Sequence, residues 1–426
     1  MKKNILMVSL LSAMSSSYAL DNTVDPRSLA MGGAGVAGAN GYNVLFQNPA
    51  VLSGLPNEKF TAQSPFAMRA SDEGDFANNV DALNLSATAM SNAFNAFSAA
   101  GPAQKQSTAI AAGNALIKFN GDLGNLSNKA LAVSLYGGGF AAIPRTNLGY
   151  AFKFDARSEL GTVLSYSAAD QAAVNLLGAD LKACGADPIV NVANCNNANT
   201  QMNGGTIAAA NPTVNVRAAV VQDFGLSLAR HIETEQMGGF EIGITPKFLR
   251  VGTIDVASSA QSGNAKTTMP SGLKYENAFT IDLGASKTVV NAKGHDMKMG
   301  VVVKNLIPKT LKTTLNNNIE IAPQLTTGVA YGTPWFTGAV DLDVMKNKAL
   351  ITGLTKESQF LRMGAEFDAK GWAQLRVGYR HDLAGNYAGL PSLGLGLNLK
   401  IVNMDLSVAS AGKKELAAAL QFGTHF

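Results

Sequence analysis

The sequence predicts an all-β fold: a transmembrane antiparallel β-barrel of about 14 strands with a helical insert. Three observations predict it: a secretory signal at the start, few charges without a long apolar helix after that signal, and period-two alternation toward the C-terminus. In lipid, only helices and closed barrels pair every backbone polar group internally. We therefore expect this chain to cross a membrane with strands.

Residues 1–19 have the three parts of a secretory signal peptide. A basic start and a short apolar stretch precede Ser17-Tyr18-Ala19, whose small residues fit a signal-peptidase site. The apolar stretch is shorter than the roughly 20 residues that a membrane helix needs. We expect cleavage after Ala19 and export to the outer membrane of a Gram-negative bacterium. A buried N-terminal helix is the alternative.

The composition differs from that of soluble proteins and of nucleic-acid-binding proteins. Charged residues make up 15% of the chain, against about 25% in typical soluble domains. The formal net charge is only +4, and no basic stripe marks a nucleic-acid footprint. Apolar residues are spread along the chain, as they are in membrane β-barrels.

Alternation is clearest near the C-terminus of the predicted barrel, residues 57–426. Apolar and polar residues alternate there over segments of about ten residues, the length of a tilted membrane strand. A soluble β-sandwich alternates too, but the signal peptide, the glycine content and the terminal aromatic residue favour a membrane barrel. One face of the last strand carries Leu416, Ala418, Leu420, Phe422, Thr424 and Phe426. The polar faces of the C-terminal strands carry Arg362, Glu366, Arg376, Arg380, Lys400 and Asp405.

Residues 76–126 interrupt the strand pattern. Apolar residues recur there every three to four positions, which predicts an amphipathic helix, and a second helical piece is predicted over residues 105–119. Neither piece is apolar enough to span a membrane. We expect this helical insert in the lumen, over a mouth of the barrel or in the periplasm.

The two cysteines, Cys184 and Cys195, lie in a stretch rich in asparagine, alanine and glycine. In an exported chain, two cysteines this close in sequence predict a disulfide, here pinning a loop over residues 181–205. A pair of metal ligands is the alternative, but no histidine lies nearby. We expect no metal site, because the four histidines are scattered without ligand spacing: His231, His295, His381 and His425.

Residues 20–56 are rich in glycine and turn-forming residues, and they do not read as strands. Small residues let such a backbone pack closely against another surface. Gly33-x-Gly35-x-x-Gly38 formally matches a dinucleotide fingerprint, which needs a strand before it and a helix after it. A cleavage site precedes the motif and a turn-rich stretch follows it, so the nucleotide interpretation is disfavoured.

The run from Ser28 to Ala37 (SLAMGGAGVA), followed by Asn48-Pro49-Ala50, resembles the hatch of FadL-like outer-membrane fatty-acid transporters. Most of the chain resembles their branch labelled conjugal plasmid transfer (TraF) proteins. The resemblance implies that residues 20–56 form an N-terminal hatch or plug inside a barrel of about fourteen strands. It also implies a hydrophobic, fatty-acid-like ligand and no cofactor. A thioredoxin fold, known for the conjugation protein of that name, is not expected, because the chain has no Cys-x-x-Cys. The ligand or hatch residues would be Gly32, Gly33, Gly35, Phe46, Asn48, Pro49 and Ala50.

Two functions remain open. One is transport through a hatch-plugged lumen, since about fourteen strands enclose a space that wall side chains alone do not fill. The other is a non-transporting envelope scaffold, associated with conjugal plasmid transfer. An enzyme is not expected, because paired charges such as those of Arg362, Glu366, Arg376 and Arg380 commonly line barrels. Besides lipid, a partner would be the outer-membrane assembly machinery, whose signal the aromatic residues Phe422 and Phe426 resemble.

Overall fold

Fourteen antiparallel strands close into one barrel, in which the first strand (Thr61–Ser71) pairs with the last (Glu415–His425), and this confirms the predicted fold class. A separate two-stranded hairpin is formed by Lys309–Lys312 and Asn318–Ile321. The computed structural model describes residues 25–38, 45–55, 60–203, 210, 212–236, 238–259, 273–292, 294–351 and 355–426. The predicted signal peptide, residues 1–19, lies outside these residues and stays a prediction.

The strands are β1 Thr61–Ser71, β2 Ala130–Ile143, β3 Gly149–Ser165, β4 Thr213–Thr234, β5 Gly238–Ser259, β6 Lys274–Ala292, β7 His295–Lys304, β8 Lys309–Lys312, β9 Asn318–Ile321, β10 Gln324–Gly332, β11 Phe336–Asp343, β12 Phe360–Ala369, β13 Ala373–Asp382, β14 Leu390–Leu399, β15 Val402–Ser410 and β16 Glu415–His425. At 22 residues each, β4 and β5 are about twice as long as the predicted segments and extend beyond an apolar band about 25 Å tall.

The barrel wall has an apolar outer face and a polar inner face. On β14, exposed Leu393 and Leu395 alternate with buried Ser392 and Gly394. The predicted inward charges of β12, β13 and β15 are buried in the lumen. Lys400 differs from its prediction, because it lies in the β14–β15 turn with φ +57° and not on the inner face. The alternation suits a wall between lipid and a filled lumen.

The two ends of the barrel differ in the length of their connections. Short turns join the strands at the end where β16 finishes, and two of them expose Trp335 and Trp372. Exposed aromatic residues of this kind mark a membrane–water interface. Long connections lie at the other end, which is the extracellular end in barrels with short periplasmic turns.

The helices are α1 Pro26–Ala30, α2 Phe76–Ala99, α3 Lys105–Leu126, α4 Ala168–Ala186 and α5 Val192–Asn203, and a 3₁₀-helix covers Pro49–Ser53. The predicted insert, residues 76–126, is present as α2 and α3, and α3 continues beyond the predicted end at residue 119. Within the described ranges, none of the helices has the length and apolar character needed to cross a membrane.

Helices α2 to α5 form a helical cap at the long-connection end. The predicted insert, α2 and α3, therefore lies over a mouth of the barrel. Helices α3 and α4 pack antiparallel and so closely that a Cβ on Gly113 would lie 2.5 Å from the Gly178 carbonyl oxygen. Tyr166, at the base of the cap, donates a 2.5 Å hydrogen bond to Asn120 Oδ1. Burial raises the pKa of the Tyr166 hydroxyl to about 12, so it keeps its proton at neutral pH.

The predicted loop over residues 181–205 is wrong, because α4 and α5 cover most of it. The disulfide itself is present and joins Cys184 of α4 to Cys195 of α5. Buried Asp180 also accepts hydrogen bonds from Asn194 Nδ2 (2.7 Å) and Gln201 Nε2 (3.0 Å). These tertiary contacts hold a helix whose polar composition does not predict one.

We expect the Cys184→Ser, Cys195→Ser double variant to loosen α5 while the barrel stays folded. A crosslink spanning 11 residues contributes about 2–3 kcal/mol by restricting the unfolded chain. Limited proteolysis should therefore cut residues 186–203 faster in the variant, and reduction of the native chain should have the same effect. Equal protection of α5 in both chains would contradict this prediction.

Candidate functional site: the luminal segment

The lumen holds the described N-terminal residues 25–38 and 45–55, here called the luminal segment. All of it up to Ser53 is buried. Helix α1 begins at Pro26 and is capped by Asp25, whose Oδ1 accepts a 2.8 Å hydrogen bond from the Ser28 amide. Burial raises the pKa of the Asp25 carboxyl, against the lowering effect of the Ser28 hydrogen bond.

Glycines line the wall where the luminal segment contacts it. Gly364 and Gly378 face each other across β12 and β13, and a Cβ on Gly364 would lie 2.5 Å from the Met31 carbonyl oxygen. A Cβ on Gly378 would overlap the Gly32 backbone. No side chain fits between wall and segment at these points. The same holds at other inward-facing glycines, and the glycine socket as a whole comprises Gly243, Gly284, Gly300, Gly364, Gly378 and Gly394.

A buried charge network, here called the latch, ties α1 to the wall. Arg27 binds Glu366 through two hydrogen bonds of 2.9 and 3.1 Å. Glu366 also accepts a 2.6 Å hydrogen bond from Arg376, which pairs in turn with Asp405. The latch, Arg27–Glu366–Arg376–Asp405, thus connects the luminal segment to three strands.

The four charges weighed as a catalytic cluster do not form one group. Arg362 pairs with Asp343 at 2.6 Å, and Arg380 pairs with Glu415 at 2.9 Å. Of the four, Glu366 and Arg376 form an ion pair with each other, and Arg362 and Arg380 lie opposite each other on β12 and β13. The charges therefore act as separate ion pairs that join strands of the wall to each other or to the luminal segment.

Asn48 joins the two described halves of the luminal segment to each other and to the wall. Its Nδ2 donates to the Val36 carbonyl (2.9 Å) and to the Ala285 carbonyl of β6 (3.2 Å). Its Oδ1 accepts from the Ala50 amide (3.0 Å) and so caps the 3₁₀-helix that begins at Pro49. The Asn-Pro-Ala element is thus a structural junction inside the lumen.

The remaining predicted residues of the segment lie close by. Gly32 and Gly33 take positive φ values of 66° and 94° after α1, a conformation that favours glycine. The Gly35 amide donates to Asp341 Oδ2 (2.7 Å). Phe46 lies edge-on to Phe140, and its carbonyl accepts a 2.7 Å hydrogen bond from Lys304 Nζ. The dinucleotide interpretation is wrong, because helix α1 and not a strand precedes the motif.

Two substitutions of Asn48 should separate its two roles. Asn48→Ala removes the cap and both bonds to carbonyls, and a lost cap alone typically costs about 1 kcal/mol. Asn48→Asp keeps an acceptor for the Ala50 amide but loses the donated bonds. We expect hydrogen exchange of the 3₁₀-helix to accelerate strongly only in Asn48→Ala, and exchange around Val36 to accelerate in both. Unchanged exchange around Val36 in both variants would contradict the bridging role.

A second charged layer lies in the lumen beside the luminal segment, and the sequence analysis missed it. Lys247 Nζ lies 3.3 Å from Asp223 Oδ2 and 3.0 Å from Asp282 Oδ1. Lys153 and Arg157 lie within 3.8 Å of the same Asp223 carboxylate. These residues alternate with apolar ones on long strands, and this alternation was a detectable signal that they point inward.

A vestibule of about 300 Å³ lies at the short-turn end. The vestibule borders the latch, because all four latch residues contribute to its lining. The other lining residues come largely from the short turns and strand ends, among them Pro334, Gln374, Asn398, Asn403 and His425. A rearrangement of the latch residues would therefore change the shape and charge of the vestibule at the short-turn end.

The other predicted residues lie away from the lumen. Cys184 and Cys195 belong to the helical cap. Phe422 and Phe426 are exposed on the outer face of β16 and at its end. The Phe426 ring stacks on Phe60, with ring centroids 6.1 Å apart. The assembly role inferred for these two residues stays a prediction.

Solved barrels with a similar fold are described as hydrocarbon channels. A "TodX deltaS2S3 mutant monoaromatic hydrocarbon channel" aligns with TM-score 0.53 and 8% identity, covering 94% of this chain and 99% of that one. A deltaS2 mutant of the same channel aligns with TM-score 0.54 and 9% identity, covering 96% and 100%. The toluene transporter TodX of P. putida aligns with TM-score 0.48 and 10% identity, covering 94% and 98%. The first two likenesses show the fold alone, and they confirm the predicted closed β-barrel.

Among curated proteins, no relative matches this sequence. The family model described as "F plasmid transfer operon, TraF, protein" matches residues 45–343. Since this match spans more than half of the chain, the protein belongs to that TraF family.

Proposed function

We propose that the protein is an outer-membrane channel that takes up a hydrophobic small molecule, with the luminal segment as its hatch. The observation that carries the proposal is the glycine socket. A buried backbone that packs against inward-facing glycines, and is attached to the wall by side chains at only a few points, has the form of a removable plug.

The arrangement of cap, lumen and vestibule supports passage from the cap end to the short-turn end. The apolar outer wall and the exposed tryptophans of the short turns suit an outer membrane with the cap outside. Material leaving past α1 would enter the vestibule at the short-turn end, where the latch lies. The TodX channels share this fold and are described as hydrocarbon channels, which supports the same class of cargo here.

The test is uptake of a hydrophobic molecule by protein in vesicles with a lipopolysaccharide outer leaflet, which is the barrier that a plain phospholipid bilayer does not offer to such molecules. Purified protein is reconstituted, and influx of radiolabelled dodecane and of toluene into vesicles containing a trapped hydrophobic acceptor is compared with empty vesicles. We expect influx of at least one compound to exceed the background of empty vesicles, and Asn48→Ala to change its rate. Influx equal to that of empty vesicles for both compounds would refute the proposal. Mass spectrometry of co-purifying molecules identifies the natural cargo.

A second candidate function is that of an envelope scaffold associated with conjugal plasmid transfer. The helical cap favours it, because Leu85, Leu176, Ile189 and Val190 are exposed there. The family description names the F plasmid transfer operon. Charge substitution at Ile189 and Val190 should lower plasmid transfer if the cap docks a partner, and should leave hydrocarbon influx unchanged. Normal transfer with these substitutions would remove this candidate.

Phe426 provides a further prediction. We infer that the terminal aromatic residue is read during barrel assembly, as the alternation of β16 and the exposure of Phe422 and Phe426 support. Deletion of Phe426 should lower the yield of folded barrel in the membrane several-fold, whereas Phe426→Tyr should keep it. Equal yields of the deletion variant and the native chain would show that Phe426 is an ordinary interface residue.

A further inference from the structure

The β8–β9 hairpin turns inward and fills the mouth of the barrel. Its side chains Leu311, Ile319 and Ile321 are at most 2% exposed, although they belong to a connection between strands β7 and β10. Leu350 and Ile351, from the next long connection, are buried beside them. The hairpin is thus a mouth stopper at the end opposite the short turns.

The wall behind the hairpin is aliphatic. Val221 of β4, Leu249 and Val251 of β5 and Ala278 of β6 pack in one cluster with the hairpin. They point inward, since Phe224 and Phe248 of the same strands are exposed on the outer face. Without the hairpin, this inner surface would face water, which is unfavourable in proportion to its apolar area.

Asp255 provides most of the polar bonds between the stopper and the wall, and Lys274 Nζ of β6 adds a 3.2 Å hydrogen bond to the Lys312 carbonyl. Asp255 of β5 accepts hydrogen bonds from Thr313 Oγ1 (2.7 Å) and Asn317 Nδ2 (2.6 Å). Its backbone carbonyl accepts a third, from Thr314 Oγ1 (2.8 Å). Arg217 of β4 pairs with the same carboxylate at 3.3 Å. The attachment is polar and lies at the rim, whereas the buried contacts are apolar and have no directional bonds.

The charged layer limits how deep an apolar molecule can bind in the closed state. On β5 the inward residues run from Asp255 through Val251 and Leu249 to Lys247, which pairs with Asp223 and Asp282. Alkyl groups placed next to these ion pairs would desolvate them without compensating bonds. An apolar ligand is therefore expected to bind above Lys247, where the hairpin side chains lie.

We propose that the mouth is a binding site for an aliphatic chain and that Leu311, Ile319 and Ile321 occupy the ligand's place in the closed state. This inference rests on the proposed channel function and adds the site and the ligand class. The buried cluster consists of valine, leucine, isoleucine and alanine side chains only, so it presents alkyl groups and no aromatic ring for stacking. A saturated chain reproduces the contacts of the hairpin more fully than a flat ring does.

A spin label on the hairpin tests displacement directly. The chain carries Cys184→Ser and Cys195→Ser, with Leu315→Cys in the exposed hairpin turn and Lys413→Cys in the exposed β15–β16 turn as labelling sites. In lipid nanodiscs, we expect dodecane to lengthen the distance between the labels and toluene to do so much less. A distance that does not change with dodecane would overturn the proposal.

A reversible crosslink separates the mouth site from the channel function. Thr313→Cys with Asp255→Cys, in the same cysteine-free background, joins two positions whose side chains contact each other. Oxidation should abolish dodecane influx and reduction should restore it, while the background chain should not respond to either treatment. Influx that persists in the oxidised chain would overturn the mouth site and leave the channel function standing. If even the background chain takes up nothing, the channel function fails, and the spin-label distance decides the mouth site independently.

Discussion

Replacing Glu366 with alanine is expected to destabilise the barrel by about 3–5 kcal/mol and to release α1 from the wall. Glu366 is the common partner of Arg27 and Arg376, and all three are buried. Its loss leaves Arg27 without the carboxylate that holds it and Arg376 with Asp405 alone. An unbalanced buried charge costs more than the pair contributes, because desolvation is no longer offset.

The measurement has two parts. Denaturant unfolding gives the change in free energy, and single-channel recording in planar bilayers shows whether the lumen opens. We expect larger and more frequent conducting events in Glu366→Ala than in the native chain. The matched control is Glu357→Ala, at an exposed position of a long connection, which should match the native chain in both measurements.

A double-mutant cycle with Arg27→Ala then identifies the cause. Residues in direct contact give non-additive effects, whereas independent sites add within about 0.3–0.5 kcal/mol. If Glu366 acts through Arg27, the double variant will be more stable than the sum of the single effects predicts. Strict additivity would mean that Glu366 acts only inside the wall, through Arg376.

Replacing Gly378 with alanine should push the luminal segment out of its seat. The new Cβ would overlap the Gly32 amide and the Met31 carbonyl carbon, which are backbone atoms and do not rotate away. Overpacking of this kind typically costs about 1–3 kcal/mol, and here the segment's own backbone has to move. We expect a larger conductance and faster hydrogen exchange in residues 30–36.

The control is Gly338→Ala in β11, where the new Cβ would meet only the Phe336 ring at 3.4 Å, an ordinary contact distance. A second test deletes residues 25–55 from the Gly378→Ala chain. If the clash with the segment is the cause, Gly378→Ala will not lower the free energy of unfolding of the truncated barrel. A cost that persists after truncation would place the effect in the strand pairing of Gly378 with Gly364.

Sequence patterns predicted the barrel because each strand alternates locally. The inward direction of Glu366 and Arg376 followed from their spacing alone, and so did the outward direction of Leu393 and Leu395. Helices α2 and α3 were predicted for the same reason, since apolar residues recur there at helical spacing. Helix α5 was missed because its composition is polar, and the disulfide and Asp180 stabilise it through tertiary contacts.

No local sequence pattern predicted which residues pair with each other across the lumen. Arg27 and Glu366 are 339 residues apart in sequence, and nothing near either residue indicates the other. The socket glycines pose the same problem. A glycine in a strand signals either a bend or a close approach of another backbone, and only the position of Met31 and Gly32 identifies the second case at Gly364 and Gly378.

The sequence by itself determined the wall: the antiparallel barrel, the two faces of its C-terminal strands, and the presence of a glycine-rich segment ahead of it. Only the tertiary structure decided what fills the lumen, namely the latched luminal segment, the charged layer and the inward β8–β9 hairpin. The physical reason is the range of the interactions. Strand alternation is set by each residue's own neighbours and by lipid outside. The lumen is filled by contacts between segments far apart in the chain, and these exist only once the barrel closes.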